Sequence, residues 1–196
     1  MNKEQVKEVS LRYKAERDDF YSKNIQQVDK YNTDLILIIK THLYIENILD
    51  RIFVNLLPNG KTLIDLSFAN KLKILSATKF AHSEELISSL SELNKIRNKF
   101  AHNVDCVLEE KDVEKLVNLL KIQKDKPIRF QLEKAIDYCI GFLHAWSALI
   151  ELFPLGMTLV MNKETLFSKD KLFDKKRFSS AYDFNLLSEL VTSMKL

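Results

Sequence analysis

Along most of this 196-residue chain, apolar side chains return every three or four positions, the step that gathers them on one face of an α-helix. The most regular run is Ile128, Leu132, Ala135, Cys139, Phe142, Trp146, Leu149 and Phe153, opened by Pro127 and ended by Pro154. A second stripe, Leu35, Ile38, His42, Ile45, Leu49 and Ile52, predicts a helix capped by Asn32 or Thr33 and running to about Leu57, where Pro58, Asn59 and Gly60 stop it. Between these two lie three further helices. One covers about Ser67 to Ser76 with Phe68, Leu72 and Leu75 inward. The next follows a turn near Ala81 and His82, takes Ser83 as its N-cap and runs from Glu84 to about His102. Its stripe is Leu86, Leu90, Leu93, Arg97 and Phe100, and its two leading acids suit the positive end of the helix dipole. The third is predicted from about Asp112 to Lys124.

The two ends of the chain are more polar. Residues 1 to 30 predict an exposed amphipathic helix, with Val6, Val9, Tyr13, Phe20 and Ile25 as its sparse apolar positions. Residues 155 to 196 form a tail with a basic run, Lys169 to Arg177, and a final helix from Ser179 to about Met194. The fold class is therefore all-α, an up-and-down helical bundle of residues 31 to 154 with extra N- and C-terminal helices. No fixed-period repeat is present.

Composition narrows the choice further. At average usage the chain would hold about 23 Gly and Pro together, but it holds three of each. Sandwiches, barrels and Gly-rich nucleotide folds are poorly served by so few breakers. Thirty basic against 27 acidic side chains leave a net charge of +3, too balanced for a protein that coats DNA or a membrane surface. Any nucleic acid must be met by a local patch. Cys106 and Cys139 have no C-x-x-C spacing and no His at ligand distance, so no metal site and no redox pair is expected. The charged N-terminus lacks a signal-peptide core, and the longest uncharged apolar stretch, Tyr138 to Ile150, is too short to span a bilayer. A cytoplasmic location with no membrane contact is the expectation.

One segment conflicts with its structural role. In IRNKFAHN, residues 96 to 103, Arg97 falls on the apolar stripe of its helix, where an unpaired guanidinium would be strongly unfavourable. It requires a partner, a ligand or a wet cleft. Arg97 and His102 are five residues apart and diverge by about 140° on one helix, whereas Asn98 and His102 share a face, so that the Asn98 amide is placed to hydrogen-bond the imidazole. Asn, Lys and His are also favoured near the last carbonyls of any helix, and Arg97 could serve only as the partner of a buried acid.

Arg-Asn-x-x-x-His late in a helix of an all-helical chain resembles the signature of the HEPN superfamily, small helical bundles that typically dimerise. The resemblance covers about residues 33 to 110. It implies a metal-independent endoribonuclease with no cofactor, in which Arg97, Asn98 and His102 of two protomers meet in one cleft, and a role as a toxin or phage-defence effector held by an antitoxin or regulatory partner. The order HLYIENILDRIF, LSFANKL, ELNKIRNKFAH is also similar to the mannitol operon repressor family, which implies a non-catalytic interaction module on the same fold. A nucleotide-sensing module is a third, weaker option. HEPN toxins paired with nucleotidyltransferase antitoxins often carry Tyr two residues after the His; here Val104 occupies that position, so control by modification of that tyrosine is not expected.

The chemistry suits those residue types. RNA carries its own nucleophile in the 2′-hydroxyl. It needs a group to move that proton, a group to protonate the leaving 5′-oxygen, and a fixed positive charge on the phosphorane. Histidine titrates in the right range for either proton role, and arginine offers a planar fork for the non-bridging oxygens. A single chain supplies one such histidine, so a homodimer is expected. Glu46 is a candidate partner for Arg97, one helical turn from His42, while Lys95 and Lys99 would sit toward the rim, where they could steer an RNA backbone. His42 reads as a satisfied core or interface histidine, His144 as a core-edge residue, and Cys139 and Trp146 as packing. Cys106 falls in a loop. The basic run in the tail, with Phe173 and Phe178 interleaved, is diluted by Asp170 and Asp174 and reads as a solvated face.

Overall fold

The structure, a computed structural model, describes residues 3–24, 33–77, 83–103 and 106–152. Among them are six α-helices, α1 Lys3–Asn24, α2 Thr33–Leu56, α3 Phe68–Ala77, α4 Ser83–His102, α5 Glu110–Leu120 and α6 Ile128–Leu152, with one 3-10 turn, Gly60–Leu63, and no strand. The all-α expectation holds. The expectations for Ile25 to Lys30, His82, Val104, Phe153, Pro154 and the whole tail from 155 to 196 lie outside the described residues.

Helix α6 is the centre of the bundle. Its predicted stripe is buried from Leu132 to Trp146, but so are Ile136, Ile140, Leu143, Ala148 and Ile150 on its other sides. A helix apolar all round is one that neighbours enclose, and α1, α2, α4 and α5 all pack on α6. Its start is built locally: the Pro127 carbonyl accepts the Gln131 N–H at 3.1 Å, and the Gln131 amide turns back to the carbonyls of Lys126 and Lys124. Helix α2 runs beside α6 in the same direction, joined at one end by Arg129 and Asp34 and further along by Tyr44 Oη to His144 Nε2 at 2.8 Å.

Two boundaries differ from expectation for identifiable reasons. Helix α5 begins at Glu110 because the Asp112 carboxylate accepts the Glu109 backbone N–H at 2.9 Å, a capping arrangement. It stops at Leu120, short of Lys124, because Lys121 adopts a left-handed conformation, φ 52° and ψ 41°, and both its N–H and that of Ile122 return to the Val117 carbonyl. After α2 the chain turns so tightly that a Cβ on Gly60 would lie 1.9 Å from the Phe53 carbonyl oxygen. Only glycine fits there.

Helix α1 is fastened by polar groups as well as by apolar packing. Val6, Ser10, Tyr13 and Phe20 face inward, while Val9 is half-buried. Tyr13 Oη meets Ser147 Oγ at 2.9 Å and Glu151 Oε2 at 3.0 Å, Arg12 pairs with the same Glu151, and Arg51 of α2 reaches Glu16 at 2.7 Å. Phe20 stacks on Tyr44 with ring centroids 4.1 Å apart. Beneath this helix His144 is fully buried rather than at the core edge, because α1 lies over it and Tyr13 packs on its ring. No helix among the described residues is long and apolar enough to cross a membrane.

Candidate functional site

The site is assembled where α2, α3 and α4 meet. Helix α4 buries Leu86, Leu90, Leu93, Ile96 and Phe100. This seats the helix and fixes the rotation of what lies beside that stripe. The stripe closes through Ile96 rather than Arg97, so Arg97, expected on it, falls with Asn94 and Asn98 on the half-buried flank, and His102 is exposed on the last turn. Facing them, α2 presents His42 and, one turn on, Glu46. Helix α3 contributes Lys71.

Lys71 was not anticipated as a site residue, yet its side chain is only 2% exposed. Its ammonium lies 2.7 Å from Asp50 Oδ1 and 3.1 Å from Glu46 Oε1, tying α3 to α2. Burial works against its charge, but the two carboxylates outweigh that and hold its pKa above the ordinary lysine value. Its register could have revealed it: Phe68, Lys71, Leu72 and Leu75 complete the same three-four stripe.

This changes the position of Glu46. The expected partner was Arg97; the Glu46 carboxylate is instead engaged by Lys71, with its second oxygen 3.9 Å from His42 Nδ1. Among the described residues Arg97 makes no ion pair. Its Nη1 donates to Asn98 Oδ1 at 3.0 Å. The expected Asn98 to His102 hydrogen bond is not formed: the Asn98 oxygen accepts from Arg97, which turns the amide toward the guanidinium, and His102 stands exposed on the last turn. His102 has no hydrogen-bond partner among the described residues. It does lie clear of Arg97 along the helix, as the five-residue spacing requires.

His42 is a satisfied buried histidine, as expected. Its Nε2 and Asn94 Oδ1 are 3.0 Å apart, and since the amide oxygen only accepts, the imidazole carries its proton on Nε2. The ring packs on Phe68, 4.3 Å between centroids. Burial lowers its pKa, with Arg97 and Lys71 pushing the same way against the Asn94 bond and Glu46, so His42 is neutral at pH 7. A cavity of about 10 Å³ beside it, lined by Thr41, Ile45 and Leu93 among others, has room for one water at most.

The two lysines expected at the rim differ. Lys95 is well exposed, its ammonium 2.9 Å from Glu92, which also pairs with Lys115 of α5. Lys99 is drawn sideways to Asp112 at 2.6 Å, a bond that raises its pKa and ties α4 to α5 running antiparallel beside it. Cys106 is half-buried and Cys139 fully buried, the latter with its thiol pKa pushed well up by burial. The chain matches no family model, no curated protein and no solved structure.

Proposed function

We propose that this chain is a metal-independent endoribonuclease of HEPN type that acts as a cytoplasmic homodimer, with Arg97, Asn98 and His102 as its working residues, in the role of a toxin or phage-defence effector restrained by a protein partner. The observation that carries the reading is the condition of Arg97. It is half-buried, oriented by Asn98, and makes no ion pair among the described residues, while Glu46 and Asp50 of α2 are held by Lys71. A partly desolvated guanidinium in that state is complementary to an incoming anion.

In this mechanism the 2′-hydroxyl attacks the adjacent phosphorus and the bond to the 5′-oxygen breaks, leaving a cyclic phosphate and a free 5′-hydroxyl. One His102 accepts the proton of the 2′-hydroxyl, and the His102 of the second protomer donates one to the leaving oxygen. Arg97 stabilises the charge that builds on the non-bridging oxygens. The reading predicts that purified protein cuts RNA in the presence of EDTA and arrests growth when expressed, and that Arg97→Ala and His102→Ala each abolish both. Intact RNA with the wild-type protein, together with growth indifferent to His102→Ala, would leave a non-catalytic interaction module on the same bundle.

A further inference from the structure

Two amides on the flank of α4 have their oxygens occupied from within the protein. Asn94 Oδ1 accepts from His42 Nε2, and Asn98 Oδ1 accepts from Arg97 Nη1. Each oxygen so held turns the NH₂ group of the same amide the other way. Among the described residues no acceptor is hydrogen-bonded to either amide nitrogen. Asn94 and Asn98 are four apart and Asn94 and Arg97 three apart, so all three lie together on the helix surface. Both asparagines are half-buried. The flank therefore presents two NH₂ groups and a guanidinium, all donors. On the facing helix α2, the carboxylates of Glu46 and Asp50 are engaged by Lys71.

We infer that Asn94 is a substrate-binding residue, which with Asn98 and Arg97 forms a donor row for the acceptor oxygens of single-stranded RNA, Asn94 lying about one helical turn from the guanidinium that takes the phosphate. The partner chemistry follows from the row being donor-only: it fits the non-bridging phosphate oxygens and base carbonyls of an extended strand, in which successive groups are free to face one helix. His42 is the positioning residue. Its neutral imidazole, packed on Phe68 and donating from Nε2, fixes which way the Asn94 amide points.

This inference rests on the ribonuclease reading, and its test separates the two. The probe is a short fluorescein-labelled single-stranded RNA whose 2′-hydroxyls are methylated, so that it binds without being cut; its affinity is read by anisotropy, and unmethylated RNA gives KM and kcat. Asn94→Asp keeps an oxygen for His42 but replaces the outward donor with an acceptor of like charge to the strand. It is expected to weaken binding about tenfold or more and to raise KM by the same factor, with kcat little changed. His42→Gln, which can still donate to Asn94, is expected to retain wild-type affinity, and His42→Leu to lose part of it. Should Asn94→Asp fail to fold, Asn94→Ala is read in the same way. Unchanged affinity in the folded Asn94 variant overturns the inference. Binding of the methylated strand that depends on Asn94, without cleavage of ordinary RNA, overturns only the nuclease reading.

Discussion

His144 provides the sharpest physical test of the fold. Its ring is enclosed by α1, α2 and α6, its Nε2 is bonded to Tyr44, and its Nδ1 has no hydrogen-bond partner among the described residues. Burial, aided by the nearby Arg51 and Arg17, depresses its pKa to about 3. The unfolded chain takes up a proton on this residue near pH 6.5, the folded chain only near pH 3, so the unfolded state binds more protons throughout that window. Stability attributable to His144 is thus complete above pH 6.5 and is lost as the pH falls toward 3. At pH 5 the separation from 6.5 is 1.5 units, worth about 2 kcal/mol at 1.36 kcal/mol per unit, or a fall in melting temperature of about 4–8 °C for a chain of this size. Thermal unfolding of wild type and His144→Gln at pH 7 and pH 5 measures it. The glutamine does not titrate, so its loss between the two pH values should be smaller by about that 2 kcal/mol. Equal losses in the two proteins would refute the argument.

Three further outcomes follow from the packing. Lys71→Met leaves Glu46 and Asp50 facing each other without a cation; because the two acids keep some exposure the cost should be about 2–3 kcal/mol, and adding E46Q and D50N should restore part of it in urea unfolding. Gly60→Ala forces a methyl against the Phe53 carbonyl and should destabilise by about 2 kcal/mol or more, read as a lower denaturant midpoint. Lys121→Gly removes a side chain from a left-handed position and should stabilise by about 0.5–1 kcal/mol; a destabilised variant would mean that the lysine contributes more than its backbone costs.

Much of this arrangement is legible in the residues alone, and its gaps have physical causes. The stripes of α2, α4 and α6 are visible because burial on one face leaves a period that survives any detail of packing. The enclosure of α6 on its remaining sides is not, since Ile136, Ile140 and Leu143 break no rule of an amphipathic helix until neighbours are placed. At the site, Arg97 stands out as a charge on an apolar stripe, and Lys71 carries the same signal on α3. Asn94 carries none. A neutral amide at a helix flank is common on any surface, and only the hydrogen bond from a residue 52 positions away gives it a direction. The Asn98 to His102 contact illustrates the opposite error: correct spacing, but an amide turned toward the adjacent guanidinium.

The central place of α6 has a consequence for synthesis. Helices α2 through α5 emerge from the ribosome first, and the apolar side of α2 waits for a covering helix that begins about 70 residues after α2 has ended, at Ile128. Until then the part of α2 that packs on α6 stays uncovered, a long-range pairing that is entropically slow to close. Cells that express versions truncated before Ile128 should find them captured by chaperones or deposited in inclusion bodies, whatever the state of the Arg97 motif.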